Sequence, residues 1–231
     1  MEYIHNTEQF QFHNTVVALG KFDGMHKGHQ LIFDELIQYK QLGYQAAVFS
    51  FDRPPLNMLK HKHMRVIYTT NEKIKLLARR GIDIYIEHPF TDEFSHLSPE
   101  DFVIKVLLEK TGMKVLVVGD DCGFGYKRQG NVELLERMSK EYDFKLIVIP
   151  KLELEGEIVS STRIRCLLSE GKVEEANRLM EDPFMICGSV VHGNHMGAEV
   201  LQMPTANQIP LEDKLLPPNG VYVSRILSLI H

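Results

Sequence analysis

Short apolar segments alternate along the chain with amphipathic segments, and this alternation constrains the fold more than any other sequence feature. The predicted strands and helices lie, in order, at 15–20, 27–41, 44–51, 70–80, 82–86, 98–110, 114–119, 131–141 and 144–150. Strands that alternate with helices of about 10 to 15 residues are typical of βαβ units. The sequence therefore predicts an α/β fold with a doubly wound parallel sheet.

The composition is that of an ordinary globular protein. The chain has 26 Lys and Arg against 31 Asp and Glu, which gives a net charge of −5 with neutral histidines. This balance argues against a disordered chain and against a protein whose whole surface binds nucleic acid. No apolar run approaches the ~18 to 20 residues of a membrane span, and the polar N-terminal segment lacks the apolar core of a signal peptide.

Cys122, Cys166 and Cys187 show neither the spacing of a zinc site nor that of a disulfide framework. Unpaired thiols are typical of a reducing compartment. We therefore expect a cytoplasmic protein that has no membrane or nucleic-acid partner. The sequence carries no signal for an oligomeric state.

The residue pattern of the sequence changes near residue 180, and Glu181-Asp182-Pro183 is typical of a linker. Beyond it, glycines and prolines separate short β-like pieces at 186–193 and 220–227. This pattern predicts the beginning of a β-rich module after a larger first domain. The predicted domains are 1–182 and 183–231.

The loop after the first predicted strand has the composition of a phosphate site. Gly20 and Gly24 allow a tight turn, and Gly28 allows close packing at the start of the next helix. His26 and His29 are three residues apart, so they share one face of the first helical turn and can donate hydrogen bonds to phosphate oxygens. Such a pair can also be a surface coincidence or a metal pair, but its position after a βα turn favours phosphate.

Three hydroxyl side chains, Ser160-Ser161-Thr162, follow the last predicted strand of the first domain, with Arg163 and Arg165 just behind. Ser and Thr are common helix caps, which is the simpler interpretation. Hydroxyls and guanidinium groups beside the free amides of a helix also suit a triphosphate.

Asp120 and Asp121 follow the most apolar predicted strand. They can cap a turn, or they can orient a nucleotide or a metal-bound phosphate. Both alternatives stay open from the residues alone.

The segments 20–29, 119–125 and 159–180 resemble, in order and spacing, the prokaryotic bifunctional riboflavin kinase/FMN adenylyltransferases, or FAD synthetases. The resemblance covers about 14–182 and continues more weakly to about 223. It implies a Rossmann-like parallel sheet of the nucleotidyltransferase type, followed by a partial β-rich module. It also implies transfer of AMP from MgATP to the phosphate of FMN, which gives FAD and pyrophosphate without a protein nucleophile.

The resemblance assigns roles to individual residues. His26, His29 and Arg165 are the expected catalytic residues, because the two imidazoles would hold ATP phosphates and stabilise the transition state. Asp121 would lie at the nucleotide or flavin site, and no residue is expected to bind a metal directly, so Mg²⁺ would arrive with ATP. The expected residues for binding ATP, FMN and FAD are Gly20, Phe22, Asp23, Gly24, Gly28, Asp121, Ser161, Thr162 and Arg163.

The chain departs from the family pattern in the loop 50–55 and at Cys122 and Gly123, where the family usually has Phe and Arg. Both loops belong to the flavin side of the family's site. Two alternatives therefore remain beside FAD synthesis. One is a nucleotidyltransferase with another phosphorylated acceptor, and the other is a non-catalytic paralogue that binds flavin or nucleotide.

The segments 188–193, 204–207 and 216–222 resemble the opening of the family's riboflavin kinase module. In that module the Thr and Asn of the PTAN sequence, here Thr205 and Asn207, serve the Mg-nucleotide. The intervening segment 198–203 differs from the family pattern, and the module looks incomplete. We therefore expect no riboflavin kinase activity from this chain.

Overall fold

The computed structural model describes residues 1–52, 65–191 and 207–226, and the predicted strands of the first domain are all present. Six strands form one parallel sheet in the order β1-β4-β3-β2-β5-β6. The strands are β1 Glu2–His5, β2 Thr15–Leu19, β3 Gln45–Phe51, β4 Ile84–His88, β5 Met113–Gly119 and β6 Lys145–Ile149.

The strand order reverses between β2 and β5. The chain moves from β2 through β3 to β4 in one direction, and β5 and β6 then lie on the other side of β2. In open α/β sheets, ligands bind outside the carboxyl ends of the strands at such a reversal. The fold therefore places the loops after Leu19 and Gly119 on either side of the expected crevice.

The helices also follow the predicted pattern. The helices are α1 Lys27–Gln41, α2 Thr70–Arg80, α3 Asp92–Ser95, α4 Pro99–Asp101, α5 Val132–Glu141, α6 Ser161–Ser169 and α7 Val173–Leu179. From Phe102 to Lys110 the helix begun by α4 continues with π-type hydrogen bonding, which the sequence did not predict. Thr69 and Glu72 form a capping box at the start of α2, and Gly81 ends that helix at a φ of 89°.

Both faces of the sheet are covered, as expected for a doubly wound fold. Successive strand residues point to opposite faces, so neighbouring residues such as Val16 and Val17 enter different apolar clusters. Helices α1, α2, α6 and α7 contribute to the cluster of Val16, whereas the π-helix and α5 contribute to the cluster of Val17. Among the described residues, no helix is both long and apolar enough to cross a membrane.

Two small antiparallel pairs accompany the large sheet. One joins β7 Glu153–Leu154 to β8 Glu157–Ile158, and the other joins β9 Gly188–Val191 to β10 Asn207–Pro210. Strand β9 confirms the first of the two β-like pieces. The prediction for 220–227 is wrong over its described part, because 220–226 pairs with no described strand and the side chains of Val221 and Val223 are fully exposed.

A buried lysine attaches the C-terminal segment to the α/β domain. The ammonium group of Lys214 donates to the carboxylate of Glu72 at 2.7 Å and to the carbonyl oxygens of Ile67 and Met185 at 2.6 Å each. It also lies 4.4 Å from the centre of the Phe184 ring. Lys214 and Glu72 are almost completely inaccessible to solvent, so each charge depends on the other.

Replacing Lys214 with methionine should destabilise the protein strongly. Lys214→Met leaves the charge of Glu72 buried without its partner, and we expect a loss of about 3 to 5 kcal/mol in the free energy of unfolding. The matched control is Lys105→Met, which breaks an exposed ion pair with Asp101 and should cost at most about 1 kcal/mol. Urea unfolding measures both values, and equal losses would contradict this interpretation.

Candidate active site

The loop between β2 and α1 has an unusual backbone. Phe22, Gly24 and Met25 all have positive φ angles, of 48°, 84° and 37°. Phe22 and Met25 are not glycines, and they hold this conformation with both side chains buried in the core. A Cβ at Gly20 would lie 2.9 Å from the Phe22 ring, so the ring packs directly on that glycine. Burial therefore fixes the path of the loop.

His26 and His29 are brought together at the start of α1. His26 is the N-cap, and its Nδ1 accepts a hydrogen bond from the backbone N–H of His29 at 3.3 Å. The two rings stack with their centres 3.6 Å apart and their planes at 19°. A Cβ at Gly28 would lie 3.1 Å from Nδ1 of His26, which explains the glycine at this position.

Burial keeps both imidazoles neutral near pH 7. It lowers the pKa of His26 to about 4, and the negative charge of Asp121 offsets part of that effect. Burial also lowers the pKa of His29 well below its usual value, and the adjacent His26 adds to the shift. A neutral His26 that accepts at Nδ1 carries its proton on Nε2, and this N–H is available to an anion.

The carboxylate of Asp23 connects the loop to two distant segments. One oxygen accepts hydrogen bonds from the backbone N–H groups of Ile67 and Tyr68 at 2.9 and 3.2 Å. The other oxygen accepts from the guanidinium group of Arg165 on α6. The backbone carbonyl of Asp23 accepts from the hydroxyl of Ser161. Asp23 therefore fixes the position of α6 relative to the β2–α1 loop.

The polar side chains at the start of α6 differ in what they contact. Ser160 is the N-cap and accepts from the backbone N–H of Arg163 at 3.2 Å. Thr162 is exposed, and Arg163 forms an ion pair with Glu157 at 2.6 Å. The guanidinium group of Arg165 also donates to the carbonyl of Arg65, so this predicted catalytic residue is hydrogen-bonded to protein on two sides.

The two aspartates after β5 have different surroundings. Asp120 accepts from the backbone N–H of Lys151 at 3.2 Å, which joins the loop after β5 to the loop after β6. Asp121 is exposed, forms an ion pair with the Lys151 side chain at 3.2 Å, and acts electrostatically on His26. Asp121 is therefore the carboxylate whose charge acts on His26, and its expected place at the nucleotide or flavin site stays a prediction.

Sequence reasoning missed an aromatic cluster at the carboxyl ends of β3 and β4. Its rings stack, tilt or meet edge to face at centroid distances of 4.4 to 6.4 Å, and its members are Phe49, Phe51, His88, Phe90, Phe94 and Phe102. Phe90 and Phe94 follow a predicted strand, which was the only local signal for them. In the predicted loop 50–55, Asp52 accepts from the backbone N–H of Phe90 at 2.8 Å, and 53–55 lie outside the described residues.

Comparison with known proteins agrees with these observations. The family model described as FAD synthetase matches residues 8–163, which is more than half of the chain. The bifunctional riboflavin kinase/FMN adenylyltransferase of Buchnera aphidicola subsp. Schizaphis graminum is 38% identical over 226 residues, which cover 96% of this chain and 72% of that protein. The chain belongs to the FAD synthetase family. The expected resemblance is thus confirmed.

More distant members of the FAD synthetase family match over the same region. The enzymes of the same name from Listeria monocytogenes and Escherichia coli K12 are 36% and 32% identical, over 95% and 98% of this chain. A crystal structure described as a macrolide-efflux protein from Streptococcus pneumoniae matches with a TM-score of 0.82 and 31% identity. That match covers 95% of this chain and 72% of the other.

The C-terminal segment has its own match within this family assignment. Residues 180–229 match the family model described as riboflavin kinase. Of the PTAN sequence, 204–206 lie outside the described residues, and Asn207 begins β10 with an exposed side chain. The expectation that this chain lacks kinase activity stays a prediction.

The histidine pair should not titrate in the range of an ordinary imidazole. We expect the ring-proton chemical shifts of His26 and His29 to stay constant between about pH 5.5 and 8, because burial lowers both pKa values. NMR titration of the ligand-free protein measures this, with His26→Ala used to assign the signals. A midpoint near 6.5 for either ring would contradict the neutral, stacked pair.

Asp23→Asn removes the negative charge of Asp23 and keeps the shape of its side chain. The amide oxygen can still accept from Ile67 and Tyr68, but the half-buried guanidinium group of Arg165 loses its counter-charge. We expect a loss of about 1 to 3 kcal/mol in the free energy of unfolding. Asp34→Asn, which weakens a more exposed pair with Arg80, is the control and should cost at most about 1 kcal/mol. A neutral effect of Asp23→Asn would show that the charge is dispensable.

Proposed function

We propose that this chain is an FMN adenylyltransferase, which transfers AMP from ATP to FMN and gives FAD and pyrophosphate. The observation that carries the proposal is the neutral, stacked pair of His26 and His29 at the start of α1. This pair lies at the point of the sheet where the strand order reverses, in a chain of the FAD synthetase family. Neutral N–H donors there can hold phosphate oxygens beside the free amides of a helix N-terminus.

The reaction proceeds by direct displacement in this proposal. An oxygen of the FMN phosphate forms a bond to the α-phosphorus of ATP, the bond between that phosphorus and the α–β bridging oxygen breaks, and pyrophosphate leaves. No protein nucleophile is required. Burial raises the pKa of the Cys122 thiol to about 11, so this thiol stays protonated, and the Ser161 hydroxyl donates to the backbone of Asp23.

The proposed catalytic residues act by position and charge. His26 and His29 hold ATP phosphates and stabilise the charge that grows as pyrophosphate leaves. Arg165, held by Asp23, supplies positive charge on the other side of the same loop. Since the guanidinium group is fixed by two partners before ATP arrives, little of its conformational freedom remains to be lost on binding.

The proposed binding residues surround this centre. Gly20, Gly24 and Gly28 let the backbone and His26 approach the nucleotide closely. Phe22 and Asp23 hold the loop in shape, and Asp121 faces the nucleotide or flavin. Ser161, Thr162 and Arg163 present the N-terminus of α6 to the triphosphate. Of these last three, Thr162 is the most accessible to a ligand, because Ser161 and Arg163 already have protein partners.

Mg²⁺ enters the proposal as part of MgATP. No group of three or more His, Cys, Asp or Glu side chains that could hold a metal occurs among the residues described by the structure. Mg²⁺ usually keeps several waters and binds substrate phosphates with one or two carboxylates, so it needs no such group. The ion would be held by the ATP phosphates, where it would neutralise part of their charge.

The remaining expectations fit this enzyme. We propose that residues 1–182 form the adenylyltransferase domain and that 183–231 belong to a riboflavin-kinase-like module. ATP and FMN are the proposed substrates, and the proposed compartment is the cytoplasm, with no nucleic-acid or membrane partner.

Formation of FAD from FMN and MgATP tests the proposal directly. We expect FAD and pyrophosphate from the parent chain, and His29→Ala should lower the rate of FAD formation by about 10²- to 10³-fold. Chromatographic separation of the flavins measures the product.

His13→Ala is the control for the histidine substitution. His13 is exposed and precedes β2, at the opposite edge of the sheet, so its loss should leave the rate unchanged. Absence of FAD at high enzyme concentration would overturn the proposal. Release of pyrophosphate with another phosphorylated acceptor, but not with FMN, would favour a nucleotidyltransferase of different specificity.

A further inference from the structure

Two basic side chains at the carboxyl edge of the sheet have no acidic partner among the described residues. Lys21 follows β2, and Arg128 lies at the end of the loop that follows β5. These strands are hydrogen-bonded neighbours, so both loops leave the same edge of the sheet. In the described part of the chain, neither side chain forms an ion pair or a hydrogen bond. Acidic residues are not scarce, since the whole sequence has 31 of them and 26 Lys and Arg.

The loop after β5 has a backbone that places the exposed Arg128 side chain against Gly123. Lys127 and Arg128 both have left-handed conformations, with φ angles of 51° and 58°. Phe124 and Gly130 close the loop with two backbone hydrogen bonds of 3.1 and 2.9 Å. A Cβ at Gly123 would lie 2.8 Å from Nε and 2.9 Å from Nη2 of Arg128. The guanidinium group therefore occupies the space that the absent side chain of Gly123 leaves.

The two cations are close enough to affect each other. The pKa of Lys21 is lowered by burial and then by the positive charge of Arg128, while Asp23 acts in the opposite direction. Asp23 does not neutralise the pair, because its two oxygens are engaged by Arg165 and by the backbone of Ile67 and Tyr68. Both side chains are exposed, and two cations at one edge of the sheet without an acidic partner among the described residues attract an anion.

We propose that Lys21 and Arg128 bind the phosphate group of the acceptor FMN and make the site prefer a phosphorylated flavin over riboflavin. This inference rests on the proposed function. Lys21 lies on the β2 side of the crevice and Arg128 on the β5 side, where the buried Phe124 ring packs 5.8 Å from Phe102 in the aromatic cluster. A flavin bound on that side would have its phosphate directed towards the imidazole pair.

The charge of the substrates gives this pair a function in the reaction. The FMN phosphate and the ATP triphosphate are both anions, and one must approach the other for the new bond to form. Two cations beside the acceptor phosphate lower this repulsion before the chemical step. A planar guanidinium group can hold two phosphate oxygens at once, whereas the lysine supplies a compact charge.

Equilibrium binding of FMN and riboflavin to the full chain tests the proposal. Isothermal titration calorimetry should show that the parent binds FMN more tightly than riboflavin. Lys21→Met and Arg128→Met should each weaken FMN binding by about 10-fold. Neither substitution should change riboflavin binding, and Arg128→Lys should retain part of the FMN affinity. Lys114→Met is the matched control, because Lys114 is exposed at the opposite end of β5.

Four results would overturn the proposal. The first is that FMN binding is unchanged in both variants. The second is that the variants lose affinity for FMN and riboflavin together, and the third is that they lose affinity for ATP while their affinity for FMN stays constant. Failure of the parent to bind FMN in preference to riboflavin would overturn it as well. FAD formation by the parent is measured separately. If no FAD forms but FMN binding depends on the pair, the proposed function fails and the phosphate site stands.

Discussion

The carboxylate of Asp23 accepts hydrogen bonds from residues that are far apart in the sequence, and the geometry of the site depends on these contacts. Ile67 and Tyr68 follow β3, whereas Arg165 lies on α6, beyond the last strand of the large sheet. The same aspartate stands in a loop whose neighbours Phe22 and Gly24 have left-handed backbones. One partly buried acid therefore fixes the loop, α6 and the segment before α2 with respect to one another.

Lys214 extends this network to the C-terminal segment. Its ammonium group donates to the carbonyl of Ile67, whose own N–H donates to Asp23. It also binds Glu72, which caps α2 through the backbone N–H of Thr69. The C-terminal segment is thus connected to the β2–α1 loop by a short series of hydrogen bonds. This explains why the segment packs against the α/β domain even though the sheet is complete without it.

Features that depend on local periodicity could be predicted from the sequence. The apolar run 114–119 became β5 Met113–Gly119, and the parallel doubly wound sheet followed from the alternation of elements. Strand β1 was missed because it is short and partly polar, and it is defined by parallel pairing with β4. The piece at 220–227 was predicted incorrectly because an alternating apolar pattern forms a strand only where a partner is available.

The loops of the site could be predicted, but their mutual contacts and protonation could not. His26 and His29 were selected from their spacing and position, which are local properties. Their neutral state follows from burial, and burial depends on the packing of the whole domain. This state matters because two imidazolium rings with centres 3.6 Å apart would repel each other, whereas neutral rings can stack and still donate to an anion. Lys21 and Arg128 gave no sequence signal as a pair, since a left-handed backbone brings Arg128 over Gly123.

We infer that the site positions two phosphates for direct displacement and supplies no nucleophile of its own. The stereochemistry at the α-phosphorus tests this claim most directly. With ATP that carries sulfur at one defined position on that phosphorus, a single displacement by FMN inverts the configuration in the product. We expect inversion. Retention would require a covalent adenylyl-enzyme intermediate and would contradict the account.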